Sequence, residues 1–227
     1  MCRVMGRIII CGYRDWSYDI FKNTELTFDG QKEIIYIDDR ESLDLIIDKY
    51  NPEIIFFIGW SWIVEKEIIE KHNCICLHAS KLPKYRGGSS IQHQLLNGDK
   101  TSAVTLFKMT TKLDAGDILF QEDFSLDGNL IDIFRRIVSV GSCGVSNVIE
   151  GNYRLRKQDD SESTYYKRRT PDMSEIKLED FKSFTAEQLH NKIRALQHPY
   201  PNAFIVCKNG TKLYLSESNL GGKIETN

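Results

Sequence analysis

The stretch ICLHASKLPKYRGGSSIQHQLLNGDKTSAVTLFKMTTKLDAGDILF, residues 75–120, decides how the chain is read. A short apolar run, 74–77, carries His78 at its end and passes into a loop rich in proline and glycine, Leu82-Pro83-Lys84-Tyr85-Arg86-Gly87-Gly88. A helical pattern begins near Ser89, and 104–107 reads as a strand. A second loop, Thr111-Lys112-Leu113-Asp114-Ala115-Gly116-Asp117, then leads into another strand at Ile118. In an open α/β fold the sheet holds a strand end rigid while the loop beyond it shapes a pocket, so chemistry collects at such junctions. A lone histidine on an apolar strand is ordinarily structural. Here a neighbouring strand end is expected to deliver the Asp114 carboxylate. An imidazole beside a carboxylate suits proton transfer, with the carboxylate fixing the ring and favouring its charged form.

Outward from this stretch, β-branched runs alternate with helical patterns. Arg7–Cys11, Glu33–Ile37 and 53–58 read as strands, 42–49 and 65–71 as helices. That alternation predicts right-handed crossovers and an α/β, Rossmann-like doubly wound, mostly parallel sheet. Residues 129–148 have helical periodicity, and the glycines at 141–144 predict close packing. The polar segment 151–163 reads as a solvated connection. Thr185 opens a last helix with a capping-box start completed by Gln188. Strands at 204–207 and 212–215 join through Asn209-Gly210, a strong hairpin signal. The expected organisation is a catalytic domain over 1–184 and a C-terminal helix plus β-hairpin over 185–227.

With 227 residues, 41% of them hydrophobic, the chain can bury a sizeable core, and its net charge of -2 gives no general attraction to nucleic acid or membranes. No apolar run approaches the roughly 20 residues of a membrane span, and the first seven residues lack a secretion-signal layout. A cytoplasmic enzyme is expected, with Cys11, Cys74, Cys76, Cys143 and Cys207 reduced. Cys74, Cys76 and His78 share one strand face, but no second cluster completes a ligand set, so no metal is expected. Gly12 lacks the following glycines of a dinucleotide site.

The run from Cys76 through His78, Ser80, Leu82 and Pro83 to Arg86 and Gly87, followed by Leu113-Asp114-Ala115-Gly116, resembles the folate-dependent formyltransferases. Their pattern is Asn-x-His-x-Ser-x-Leu-Pro-x-x-Arg-Gly and then Leu-Asp-x-Gly. The resemblance implies that His78 and Asp114 are the catalytic pair, with Cys76 standing where the family has asparagine. It also implies N10-formyltetrahydrofolate as co-substrate, its pterin held by Ile58, Gly59, Trp60, Ser61, Trp62, Met109, Thr110, Thr111, Lys112 and Leu113. On composition alone, the two tryptophans read equally as a packed aromatic corner or as a wall for a heterocycle.

Two further segments bear on the acceptor. Residues 165–172 resemble the Arg-Thr-Pro motif of this family, and Arg194-Ala195-Leu196 with 199–204 is similar to a turn of the sugar-nucleotide N-formyltransferase branch. The part beyond it reads as too short for the RNA-binding domain of the tRNA-acting branch. The resemblance implies formyl transfer to a nucleotide-linked amino deoxysugar, dTDP-4-amino-4,6-dideoxyglucose or its 3-amino analogue, for surface polysaccharide (O-antigen) biosynthesis. Acceptor candidates are Arg14, Trp16, Lys84, Arg86, Gly87, Gly88, Arg168, Arg169, Arg194, Tyr200 and Asn202, with guanidinium groups suited to a pyrophosphate. From residue type alone, Arg14 and Trp16 read first as a surface arginine and a half-buried tryptophan, and second as the border of an acceptor site.

Only a neutral amine attacks, so His78 is expected to remove its proton. The Cys76 thiol donates a weaker hydrogen bond than an amide. Either other donors compensate, or the enzyme is slow, or the fold persists with little activity. Two alternatives stay open: a low-activity or inactive binding protein on this fold, and a formyltransferase for another primary amine. The hairpin edge either pairs across a homodimer or completes one subunit.

Overall fold

A computed structural model describes residues 6–222. Residues 1–5, where the secretion-signal reading falls, and residues 223–227 of the expected C-terminal unit lie outside it. The first half alternates β1 (Arg7–Cys11), α1 (Asp15–Thr27), β2 (Glu33–Ile37), α2 (Leu43–Tyr50), β3 (Ile54–Ile58), α3 (Lys66–Lys71) and β4 (Cys74–His78). Then come β5 (Arg86–Gly87), α4 (Ser90–Leu96), β6 (Thr101–Lys108), β7 (Ile118–Ser125) and α5 (Leu130–Ile149). The chain closes with β8 (Tyr165–Tyr166), α6 (Asp180–Ser183), α7 (Ala186–Arg194), β9 (Ala203–Val206) and β10 (Lys212–Leu215).

The central sheet runs β2-β1-β3-β4-β6-β7. Its first four strands are parallel, whereas β6 is antiparallel to both β4 and β7. The result is a mixed, mostly parallel sheet with helices on both faces, a Rossmann-like α/β fold. Strand residues are apolar on both faces because both are covered. Ile8, Ile10, Phe56, Ile58, Ile75 and Leu77 pack in the core formed with α1 and α5, while Ile9, Cys11, Ile55, Phe57 and Cys74 pack with α2. By the two-residue period of a strand, Cys76 and His78 share the face of Cys74.

Helix α5 starts where Asn129 and Asp132 exchange capping-box bonds, which satisfy amides that the first turn leaves without partners. Cβ atoms at Gly141 and Gly144 would come within 2.8 Å of Ile20 and 2.6 Å of Phe120, so these glycines let α5 settle close on α1 and the sheet.

The direction of β6 corrects one expectation. Lys108, its last residue, lies opposite Ile75, and the Met109 amide donates to the Cys74 carbonyl at 2.8 Å. The loop carrying Asp114 therefore leaves at the start of β4, not at the end that carries His78. It returns along the face of Cys74, Cys76 and His78. Periodicity marks a strand but not its direction, which is why the sequence placed the carboxylate at a neighbouring strand end.

Helix α7 and the β9–β10 hairpin share a small core of Ile176, Ile193, Leu196 and Ala203. The Ile176 amide donates to the Phe204 carbonyl at 2.7 Å, so one edge of the hairpin is used within the chain.

Candidate active site

His78 is 9% exposed at the end of β4. Its Nε2 lies 2.7 Å from the carbonyl oxygen of Tyr85. A carbonyl only accepts, so Nε2 carries the hydrogen, and neutral His78 keeps its free lone pair on Nδ1. Tyr85 has φ 61, a costly conformation for a residue with a side chain. Several contacts hold it there. Its amide donates to Thr164 Oγ1 at 2.8 Å, its hydroxyl donates to Asp99 Oδ2 at 2.6 Å, and its ring stacks on Tyr166 at 5.0 Å. The loop is also fixed from below: Ser80 Oγ donates to the Lys84 carbonyl and Thr105 Oγ1 to the Ser80 carbonyl, both at 2.7 Å.

Asp114 Oδ2 lies 3.7 Å from His78 Nδ1, and the two side chains are 12% and 11% exposed. The expectation that Asp114 fixes the imidazole needs correction. At 3.7 Å the contact is an ion-pair distance and no hydrogen bond, and Tyr85 orients the ring instead. The same carboxylate oxygen accepts the Gly87 amide at 2.7 Å. Gly87 has φ 98, and a Cβ there would meet the Tyr166 carbonyl at 2.2 Å. A Cβ at Gly116 would approach the Lys108 carbonyl to 1.6 Å. Side chains are excluded at both positions.

Between Tyr85 and Gly87 lies Arg86, whose side chain is fully buried. It donates to Gln158 Oε1 from Nε (3.1 Å) and Nη2 (2.7 Å), to the Tyr165 hydroxyl (2.6 Å) and to Asp160 Oδ1 (2.8 Å). Arg86 is therefore no acceptor ligand, because its donors are used inside the protein. Gln158 also corrects the reading of 151–163 as a mere solvated connection: it alone of residues 151–160 is not exposed. Sequence reasoning missed it, along with the Tyr85 carbonyl.

Cys76 sits on the strand face between Cys74 and His78 and packs, like Met109, against Leu82, Phe107 and Ile118. Burial, and then the Asp114 carboxylate, push its thiol well above the usual range. It is a neutral, weak donor at physiological pH rather than a nucleophilic thiolate. The candidate chemistry is thus proton transfer at His78 Nδ1, with a carboxylate placed to meet the charge that forms.

The expected donor residues surround this face unevenly. Trp60, Met109 and Cys76 are half-buried against the same core cluster, and Trp60 meets Trp62 edge-on at 4.7 Å. Tyr13 donates to or accepts from Ser61 and lies tilted at 4.7 Å from Trp62. Gly59 has φ 63 beside Trp16. Thr110 Oγ1 bonds within the loop to Lys112, Thr111 is exposed, and Leu113 is 62% exposed. The Ile58 side chain, however, is fully buried in the core.

Among the acceptor candidates, Arg14 and Trp16 line an open groove of about 780 Å³ between α1, α5 and the His198–Pro199 turn, and neither His78 nor Asp114 lines it. Trp16 is half-buried and stacks on Phe134 at 5.9 Å. Burial raises the Tyr200 hydroxyl, and the charges of Arg14 and Arg168 act against that rise. Lys84 and Arg168 are exposed, and Asn202 is half-buried. The Gly88 amide donates to the Tyr166 carbonyl at 2.9 Å. Arg169 Nη2 donates to the Met173 carbonyl at 2.5 Å. Arg194 is corrected: buried, it donates to the carbonyls of Leu126 (2.6 Å) and Gly128 (3.0 Å) and packs α7 against the main body.

Fold and site together describe a Rossmann-like α/β protein with a buried imidazole–carboxylate pair. Comparison with known proteins gives the narrower class. Residues 38–130 match the family described as formyl transferase, and residues 173–226 match the formyl transferase C-terminal domain. The chain belongs to the formyltransferase family. It is 31% identical over 196 residues to a methionyl-tRNA formyltransferase from Clostridium tetani, covering 83% of this chain and 61% of that one. It is 29% identical to the solved methionyl-tRNA formyltransferase from Clostridium thermocellum, covering 92% and 96% of the two chains with a TM-score of 0.81. HypX from Aquifex aeolicus, solved with tetrahydrofolic acid, shares the fold at 20% identity and TM-score 0.77, covering 96% of this chain and 39% of that one.

The chain spans 61% and 56% of the length of two curated relatives. These findings overturn the assignment to a nucleotide-linked amino sugar. The curated relatives near 30% identity are methionyl-tRNA formyltransferases. A 4-N formyltransferase from Francisella tularensis stands at 21% identity over 96% of this chain and 99% of that one, with a TM-score of 0.73, where likeness reports the fold alone. The turn that suggested the sugar branch includes Arg194, whose guanidinium is occupied in packing.

Proposed function

We propose that the chain transfers a formyl group from N10-formyltetrahydrofolate to a primary amine, with the α-amine of methionyl-tRNA as the acceptor its relatives favour. The observation that carries this reading is His78 Nδ1 beside the Asp114 carboxylate, with both side chains shielded from water. The half-buried Trp60 and Met109, which pack with Cys76 against one core cluster, fit a flat heterocycle. These side chains and the backbone of 109–113 would hold the donor, which supplies an activated formyl carbonyl when bound. His78 Nδ1 takes the ammonium proton of the acceptor, and Asp114 meets the imidazolium charge. In a setting with an effective dielectric near 20, opposite charges about 4 Å apart attract by roughly 4 kcal/mol, against about 1 in bulk water. Burial thus makes the pair useful.

Phosphate on the acceptor would be met by local cations such as Arg14 and Arg168, since a net charge of -2 gives no broad attraction. The cysteines among the described residues are all free, which fits a reducing compartment such as the cytoplasm.

The test is to incubate the purified protein with formylated folate and either methionyl-tRNA or small primary amines, then read the acceptor for the added mass of CO. Formyl-methionyl-tRNA supports the acceptor, and product on another amine supports the reaction alone. Binding of folate without product on any amine would instead favour a binding protein on this fold, the second reading, which Cys76 in the place of the family asparagine motivates.

A further inference from the structure

We propose that Gln158 is a positioning residue that sets the Asp114 carboxylate against His78. The inference rests on the reading that this pair moves the proton. The Gln158 amide joins two things that lie far apart in the sequence. Its Oε1 accepts from Nε and Nη2 of buried Arg86 (3.1 and 2.7 Å), and its Nε2 donates to the carbonyls of Asp114 (3.0 Å) and Gly116 (2.8 Å). A guanidinium only donates and a carbonyl only accepts, so the amide has one orientation that satisfies all four bonds.

The three residues 85–87 then act as one frame. The Tyr85 carbonyl holds His78, the Arg86 side chain holds Gln158, and the Gly87 amide holds the Asp114 carboxylate. The loop has little to hold itself. Asp114 is left-handed with φ 49, a conformation costing roughly 1–2 kcal/mol, and Leu113 beside it is mostly exposed. Lys112 pairs with Asp160 at 2.5 Å, but the two side chains are 59% and 57% exposed, and surface pairs contribute about 0–1 kcal/mol. The Gln158 bonds to the two loop carbonyls are the better tether.

Gln158→Glu separates this role from general folding. Its carboxylate still accepts from Arg86 but cannot donate to the two loop carbonyls. Two readouts follow. First, trypsin cleavage after exposed Lys112 reports opening of the loop without any need for activity. Cleavage there is expected to be roughly 10-fold faster in the variant, since half or more of the tether is lost, with other sites and the melting temperature unchanged. Equal cleavage overturns the proposal.

Second, kcat is expected to fall roughly 10- to 100-fold, the scale of an ångström-level misplacement. In an Asp114→Asn background, Gln158→Glu should lower kcat no further, because Gln158 acts through Asp114. Losses that multiply would overturn the positioning role. A wild-type protein that formylates nothing would refute the proposed function, while the cleavage comparison would still decide the place of Gln158.

Discussion

The carbonyl oxygen of Tyr85 lies 2.7 Å from Nε2 of His78, so the loop backbone sets the tautomer of the imidazole and leaves Asp114 free for charge. The division matters because the two roles respond differently to mutation.

Asp114→Asn should keep the ring as it is while removing the charge opposite Nδ1. Nitrogen NMR of His78 is expected to show the neutral ring protonated on Nε2 in both proteins, with kcat lower by roughly 100-fold in the variant, within the usual range for a proton-transfer group. A ring protonated on Nδ1 in the variant would mean that Asp114, rather than Tyr85, fixes the tautomer.

Cys76 occupies the place of an amide donor in the family pattern. Its side chain is half-buried and its pKa is raised, so it supplies only a weak hydrogen bond. Cys76→Asn is expected to preserve kcat or to raise it, by up to the roughly 100-fold that one well-placed donor provides. A large loss in a folded variant would show that the thiol has a role of its own.

Thiol reactivity follows from the same burial. Burial, and then Cys74, raise the Cys11 thiol; burial raises Cys74 to about 12; burial, and then Asp114, raise Cys76. Cys143 and Cys207 are exposed. Iodoacetamide on the native protein near neutral pH should modify Cys143 and Cys207 and leave Cys11, Cys74 and Cys76 intact, as peptide mapping can read. Rapid alkylation of Cys76 would contradict its neutral, shielded state.

Tyr85 gives a pH signature. Burial, and then its bond to Asp99, push its hydroxyl up to about 12. The folded state holds this proton more tightly than the unfolded chain does. The associated stability is thus present in full below about pH 10, the unfolded value, and is lost as pH rises through 12. The difference in urea midpoint between wild type and Tyr85→Phe should therefore shrink across that window. A difference that stays flat there would contradict the assignment.

Much of this architecture was legible because apolar runs such as Arg7–Cys11 and 53–58 bury both faces of their strands. His78 and Asp114 stood out because the first runs into a loop shaped by glycine and the second lies within one. The direction of β6 was hidden, since alternation is the same either way along a strand. Arg86 looked like a ligand because a buried guanidinium needs partners, and those at Gln158 and Asp160 lie more than seventy residues on. Gln158 was invisible in a charged segment with no periodicity, and the Tyr85 carbonyl belongs to the backbone, which no residue type reports. Arg194 misled the choice of acceptor because a motif that packs a helix reads the same as one that grips a substrate.

The central claim is that His78 moves the proton of the attacking amine. The most direct measurement is single-turnover formylation of an acceptor that the wild-type protein uses, with His78→Asn compared at matched melting temperature across pH 6 to 9. The expected result is a rate at least roughly 100-fold lower at neutral pH, partly recovered as alkaline pH deprotonates the amine without help. A variant as fast as wild type at neutral pH would contradict the claim.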